Sequence, residues 1–187
     1  MNQRTIVRSL TTNDGTLVAM SDGVISWKPR EGRSTRTQLE GLPTVLLAIR
    51  GPMGPVDAAA VGTADGHVVV MTVPRLETVA RFSLNSGGVR ALTLIGEGKW
   101  HFLVGTQHGA VWSICDEKSQ RSTHEFSIDG PVSSLRIVGD NVHVRSGWMH
   151  HVRTLDGTRH DVENTAAAYR VKRQKRLSQT YFMPYPA

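Results

Sequence analysis

Val61-Gly62-Thr63-Ala64-Asp65-Gly66 and Val104-Gly105-Thr106-Gln107-His108-Gly109 are one phrase written twice, and Val18-Ala19-Met20-Ser21-Asp22-Gly23 is a looser first copy. The closing glycines, Gly23, Gly66 and Gly109, stand 43 residues apart at both steps. A constant period in this range marks a repeat architecture, in which each unit buries its faces by stacking on its neighbours. Apolar positions away from the glycines keep the same step. Ile6, Ile49, Leu92 and Leu135 form one such series, and Leu46, Val89 and Val132 another. Both series are expected to mark equivalent places on the first strand of each unit.

Inside a unit the pattern is strand and turn. Unit three reads as strands over 89–95, 100–104, 110–115 and 122–128, rich in Val, Leu, Ile and Trp, with polar or glycine-bearing loops at 96–99 and 116–119. Unit two reads as 45–49, 56–61, 67–72 and 77–84, and unit one as 4–10, 15–20, 24–27 and 34–39. Unit four opens with 132–138, 141–145 and 150–155, and its fourth strand is placed near 162–166, where the β signal is poor. Four short strands in about 43 residues are one blade of a β-propeller. The predicted fold is therefore all-β: a β-propeller of four four-stranded antiparallel blades (about 4–43, 44–87, 88–130 and 131–163) within a domain 1–163, followed by a basic C-terminal tail, 164–187.

Four blades are few. A lone arc leaves a sheet face uncovered at each end, so closure alone or completion by another subunit, as a homodimer or hetero-oligomer, is expected, with assembly favoured.

Composition narrows the class. The chain has 187 residues, 39% of them hydrophobic, and no apolar run of transmembrane length, so no membrane partner is expected. Met1-Asn2-Gln3-Arg4 is not followed by the apolar core of a secretory leader. Cys115 is the one cysteine and has no internal disulfide partner, which suits a reducing, cytoplasmic setting. Of the net charge of +6, five charges belong to residues 164–187, which carry Arg170, Lys172, Arg173, Lys175 and Arg176 and no acid. The body is nearly neutral.

The units resemble WD-repeat propellers. Gly62-Thr63-Ala64-Asp65-Gly66 with Val68 and Val70, and Gly105-Thr106-Gln107-His108-Gly109 with Val111, follow that family's glycine turn into an alternating third strand. The similarity covers roughly residues 4–160. The family's Trp-Asp pair is replaced by Lys28-Pro29, Met71-Thr72 and Ile114-Cys115, and its Gly-His pair is missing. The same glycine turn also resembles the repeat of quinoprotein-type propellers. The WD-repeat resemblance implies a non-catalytic scaffold that binds protein partners through its loops.

Structural roles account for most of the candidate sites. The glycines recur in phase with turns and form neither a P-loop nor a Rossmann pattern, so turn geometry explains them. Histidines concentrate late, at His143, His150, His151 and His160. Adjacent His150 and His151 point to opposite faces of a strand, and no metal spacing is present, so no metal or cofactor is expected. Cys115 and the acids Asp57, Asp140 and Asp156 show no nucleophile–base pairing, and an enzyme with a site in the propeller mouth is the least favoured alternative. Trp27, Trp100 and Trp112 read as packing residues. The candidate partner contacts are the turn residues Asp22, Asp65 and His108, and Trp148 in the corresponding turn of unit four. Arg170, Lys172, Arg173, Lys175 and Arg176 are the candidate polyanion contacts, and the alternative function is a nucleic-acid or ribonucleoprotein-associated module using that tail.

Overall fold

In the computed structural model, described over residues 4–51, 54–95, 101–115, 121–154 and 159–160, every strand pairs with its neighbour in sequence. Sheet one is β1 (Ile6–Thr11), β2 (Gly15–Met20), β3 (Val24–Pro29) and β4 (Thr35–Gln38). Sheet two is β5 (Pro43–Arg50), β6 (Val56–Thr63), β7 (His67–Thr72) and β8 (Thr78–Ser83). Sheet three is β9 (Val89–Leu94), β10 (His101–Thr106), β11 (Ala110–Cys115) and β12 (Arg121–Ser127). Sheet four is β13 (Ser134–Val138), β14 (Asn141–Ser146), β15 (Met149–Thr154) and the two-residue β16 (Arg159–His160). All pairings within a sheet are antiparallel. The loops expected at 96–99 and 116–119 lie outside the described residues, as do the cations of 170–176.

The sheets stack face to face through three cores. Leu17, Ala19, Ile25 and Trp27 of sheet one meet Ala59, Val61, Val69 and Met71 of sheet two. The other face of sheet two, with Ala58, Ala60, Val68 and Val70, meets Phe102, Val104 and Ile114 of sheet three. Leu103 and Val111, on the far side of sheet three, meet Val142 and Val144 of sheet four. Side chains alternate between faces along a strand, so a sheet buried on both faces needs a continuous apolar run. That is why β7 reads Val68-Val69-Val70-Met71, whereas β14 reads Asn141-Val142-His143-Val144-Arg145. Among the described residues no fourth core joins sheet four back to sheet one.

The 43-residue phase holds at the turns between second and third strands. Gly23, Gly66 and Gly109 have φ of 85°, 87° and 84°. Each donates its N–H three residues back, and each carbonyl accepts the N–H of a residue beyond the fourth strand, Leu39, Leu84 and Ile128 respectively. The left-handed backbone they need is open to glycine without Cβ strain.

The first strands depart from the expected phase. Val61 and Val104 are equivalent, yet Val61 faces Leu46 and Val104 faces Leu92, a step of 46 residues. Val144 faces Leu135, so Leu92 and Leu135 correspond as expected, while Ile49 and Ile6, opposite Ala58 and Met20, do not belong to that series. Leu46 likewise leaves the series of Val89 and Val132, since Thr106 faces Val89 and its counterpart Thr63 faces Pro43. The cause is compensation. The β3–β4 hairpin is two residues shorter than the β7–β8 hairpin and the link into sheet two is one residue shorter than the link into sheet three, while the β5–β6 hairpin around Gly51 and Pro55 is three residues longer than the β9–β10 hairpin, which keeps the period while sliding the strand.

The fourth strand of unit four also differs from its expected place near 162–166. A tight β13–β14 turn and a two-residue β14–β15 turn bring the chain forward, and Arg159–His160 already pairs with Val152 and Arg153. Residues 162–166 lie outside the described residues.

Candidate functional site

One end of the four sheets gathers the first-strand starts and the second-to-third-strand turns. Backbone bonds tie the two: Ser21 N–H to Thr5 O, Ala64 N–H to Leu42 O, and Gln107 N–H to Gly88 O, each 2.8 Å. At this end lies a cavity of about 460 Å³ lined by Val7, Arg8, Pro43, Thr44, Arg90 and Ser133, contributed by or next to the four first strands, β1, β5, β9 and β13. Arg8 Nε donates to Thr44 O at 2.9 Å, and Thr44 Oγ1 lies 3.0 Å from Gly62 O and 2.6 Å from Val89 O. The cavity is thus clamped by polar links between consecutive sheets. Its two charged lining residues, Arg8 and Arg90, are both cationic. A cavity of this kind suits an anionic group or an acidic loop better than a cation.

The four expected turn contacts all lie at this end, but they do different things. Asp65 is largely structural. It accepts a hydrogen bond from Thr63 Oγ1, sits 3.0 Å from His67 Nδ1 and crowds the backbone of Gly41 in the link between sheets one and two. Partial burial pushes its carboxyl up, yet the bonds from Thr63, its own backbone and His67 prevail and hold it below its ordinary value. His108 is the counterpart in sheet three, its ring crowding Gly87 in the next link. Asp22 belongs to the first unit and pairs instead with Arg4 at 2.5 Å. Trp148 alone of the four is fully exposed, with 100% relative exposure, so it is the one with a large apolar surface to offer.

Two residues of this end escaped sequence reasoning. Thr63 and Thr106 close their turns through Oγ1, which accepts the N–H of His67 or Ala110; the Thr106 hydroxyl also donates to Ala110 O, whereas Thr63 gives its one proton to Asp65 and lies 3.1 Å from His67 O. Their signal was the 43-residue spacing inside the quoted phrase itself.

The outward face of sheet four is the second candidate. The pairings Ser134–Arg145–His150 and Arg136–His143–Val152 put these side chains on the face turned away from sheet three. His143 Nδ1 and His150 Nε2 are 3.0 Å apart, and the rings stack at 5.1 Å and 27°. Burial pushes the His150 imidazole down, and the fields of His143, Arg145 and His151 push the same way. The pair therefore shares a hydrogen bond with at least one ring neutral at its bonding nitrogen. As expected from alternation, His151 points the other way, opposite Val144. Among the described residues no three His, Cys, Asp or Glu side chains converge as metal ligands would.

The expected packing tryptophans split. Trp27 is buried between sheets one and two. Trp112 is half-buried between sheets two and three, with Nε1 donating to Ser86 Oγ at 3.2 Å and its ring edge-on to His124. Trp100 lies outside the described residues.

No protein-family model matches the chain, and no curated protein matches it. Solved structures do match in fold. The crystal structure of the computationally designed Ika4 protein aligns with a TM-score of 0.66 at 14% identity, covering 82% of this chain and 93% of that one. The computationally designed Ika8 protein aligns with a TM-score of 0.64 at 14% identity, covering 82% of this chain and 47% of that one. The chain thus spans about half the length of Ika8 and nearly all of Ika4. The likeness is one of fold. Among the described residues no helix is long and apolar enough to cross a membrane.

Proposed function

We propose that the chain is an arc of four β-propeller blades, similar in repeat to WD-type propellers, and that it is a non-catalytic module that binds a partner macromolecule at its turn end. The sheets supply the support for the blade reading: four antiparallel sheets in sequence order, inner strands meeting at a cavity, and in-phase glycine turns. The observation that carries the binding reading is Trp148, a fully exposed tryptophan at the end where Arg8 and Arg90 line the cavity. Exposing that ring to water has no structural return, whereas aromatic and arginine side chains are the usual anchors of recognition surfaces. A photo-crosslinking residue at position 148 is expected to capture a macromolecule in extract of the native host. The same residue at Val79, exposed on β8, is the control and is expected to capture none. Equal capture at both positions, or none at 148, would refute the reading.

A second reading, two copies completing a ring of eight sheets, is favoured by the overlap with half of Ika8. The end faces oppose it. Sheet four turns Arg136 and Arg145 outward, and sheet one turns Lys28 and Arg36 outward through the pairings Thr16–Lys28 and Ser26–Arg36. Joining these faces would set like charges against each other. Sedimentation at micromolar concentration is expected to give the chain mass of 20.5 kDa. A stable species of twice that mass would establish the second reading.

A further inference from the structure

We infer that the outward face of sheet four, with the Trp148 turn at its end, is a docking surface for single-stranded nucleic acid. The inference rests on the reading of the chain as a binding module and names its partner. Three observations point to it. First, the face carries Arg136 and Arg145, both exposed and diagonal to each other across β13 and β14, with His143 opposite Arg136 and His150 opposite Arg145. The one described acid of this sheet, Asp140, sits in the β13–β14 turn, at the far end of the strands from Arg145 and His150. Second, the face offers flat rings: the His143–His150 stack on the sheet, and fully exposed Trp148 two residues before His150. Third, although it includes buried Val152, most of its described side chains are polar or charged, where the three inter-sheet faces are packed with aliphatic side chains, so it suits a hydrated, charged occupant better than a fifth sheet.

A cationic surface interleaved with aromatic rings is what an unpaired strand requires. Arginines meet phosphates and release counterions, and rings stack on bases whatever their sequence. An acidic peptide would satisfy the arginines and leave Trp148 without a role. Double-stranded nucleic acid would present no free base faces to it.

The test uses the full chain and a fluorescent oligouridylate of about twenty nucleotides, with oligothymidylate to separate RNA from DNA, titrated by anisotropy between roughly 50 and 200 mM salt at neutral pH. Three variants are compared with the unaltered chain: R136S/R145S, W148A, and one with Arg170, Lys172, Arg173, Lys175 and Arg176 all changed to Ser. The altered side chains on the sheet and its turn are exposed, so folding should survive, and circular dichroism checks it. Loss of two phosphate contacts in R136S/R145S should flatten the slope of log K against log salt by about 1.4. Loss of one stacked base in W148A should weaken binding roughly 5- to 150-fold with an unchanged slope. If the tail variant alone abolishes binding while the other two bind as before, the face is not the site, and the inference fails. If oligonucleotides do not bind but polyglutamate does, through Arg136 and Arg145, the partner is an acidic protein. That result overturns the nucleic-acid assignment and leaves the binding-module reading standing.

Discussion

Replacing Gly109 by valine is expected to cost about 3 kcal/mol or more of folding free energy, enough to unfold a large share of an ordinary domain's margin. Two costs combine. The residue sits at φ 84°, where a β-branched side chain is strained. A Cβ placed there would also lie 2.1 Å from Ile128 O and 2.8 Å from Gly130 O, both backbone atoms that cannot swing aside. Ile128 N–H donates to Gly109 O at 3.0 Å, so the turn and the strand leaving sheet three are fastened together, and relief of the clash breaks that bond. Gly32 provides the control. Its φ is 99°, but nothing lies within 4 Å of its Cβ position, so Gly32→Ala pays only the backbone cost, about 1–2 kcal/mol. Urea melts of the two variants decide the matter. Equal losses would mean that the junction of sheets three and four yields freely and that the turn glycines are not its fasteners.

The same turns explain what could be read from the sequence. The phrase ending in Gly66 and Gly109 is constrained twice, by the left-handed glycine and by the threonine that closes the turn, so its letters and spacing are both preserved. The second and third strands inherit that phase, and their expected spans match β2, β6, β7 and β11 to within two residues or better. First strands are held less tightly. A shorter β3–β4 hairpin, a shorter link and a compensating loop slide β5 by three residues without disturbing the core, because its apolar residues Leu46 and Ala48 still alternate toward sheet one. A count of residues cannot detect two changes that cancel. The site was legible in part. Trp148 was found because it follows Gly147 in the turn of unit four that corresponds to Asp22, Asp65 and His108. Asp65 and His108 stand in the same turn position, but their work is against Gly41 and Gly87 in the links, contacts between segments that no local pattern displays. The outward face of sheet four was written in the alternation of β14, yet it could be recognised as outward only once the number of sheets was known and the described residues showed three cores and no fourth.

Truncating Phe102 to alanine is expected to cost about 3–5 kcal/mol. Its side chain is 0% exposed and fills the core between sheets two and three, where the opposing strand offers Ala58 and Ala60. Small side chains on fixed backbone cannot grow into the space, so the cavity persists and the cost falls toward the upper end of that range. Position in the row of sheets adds a consequence. Sheets one and two are joined by one core, and sheets three and four by another, so the Phe102 core is the only described packing that unites the two pairs. In a chain of units that touch only their neighbours, weakening one junction loosens everything beyond it. Hydrogen exchange on Phe102→Ala should therefore show amides of sheets three and four losing protection together, while those facing the first core keep more of theirs. Val152→Ala, on the outward face of sheet four, is the contrasting variant and should leave the protection of sheets one to three in place. A uniform loss across all four sheets in Phe102→Ala would mean that sheet four is also held from its outward side, as a closed ring or a second copy would hold it, and the open arc would have to be given up.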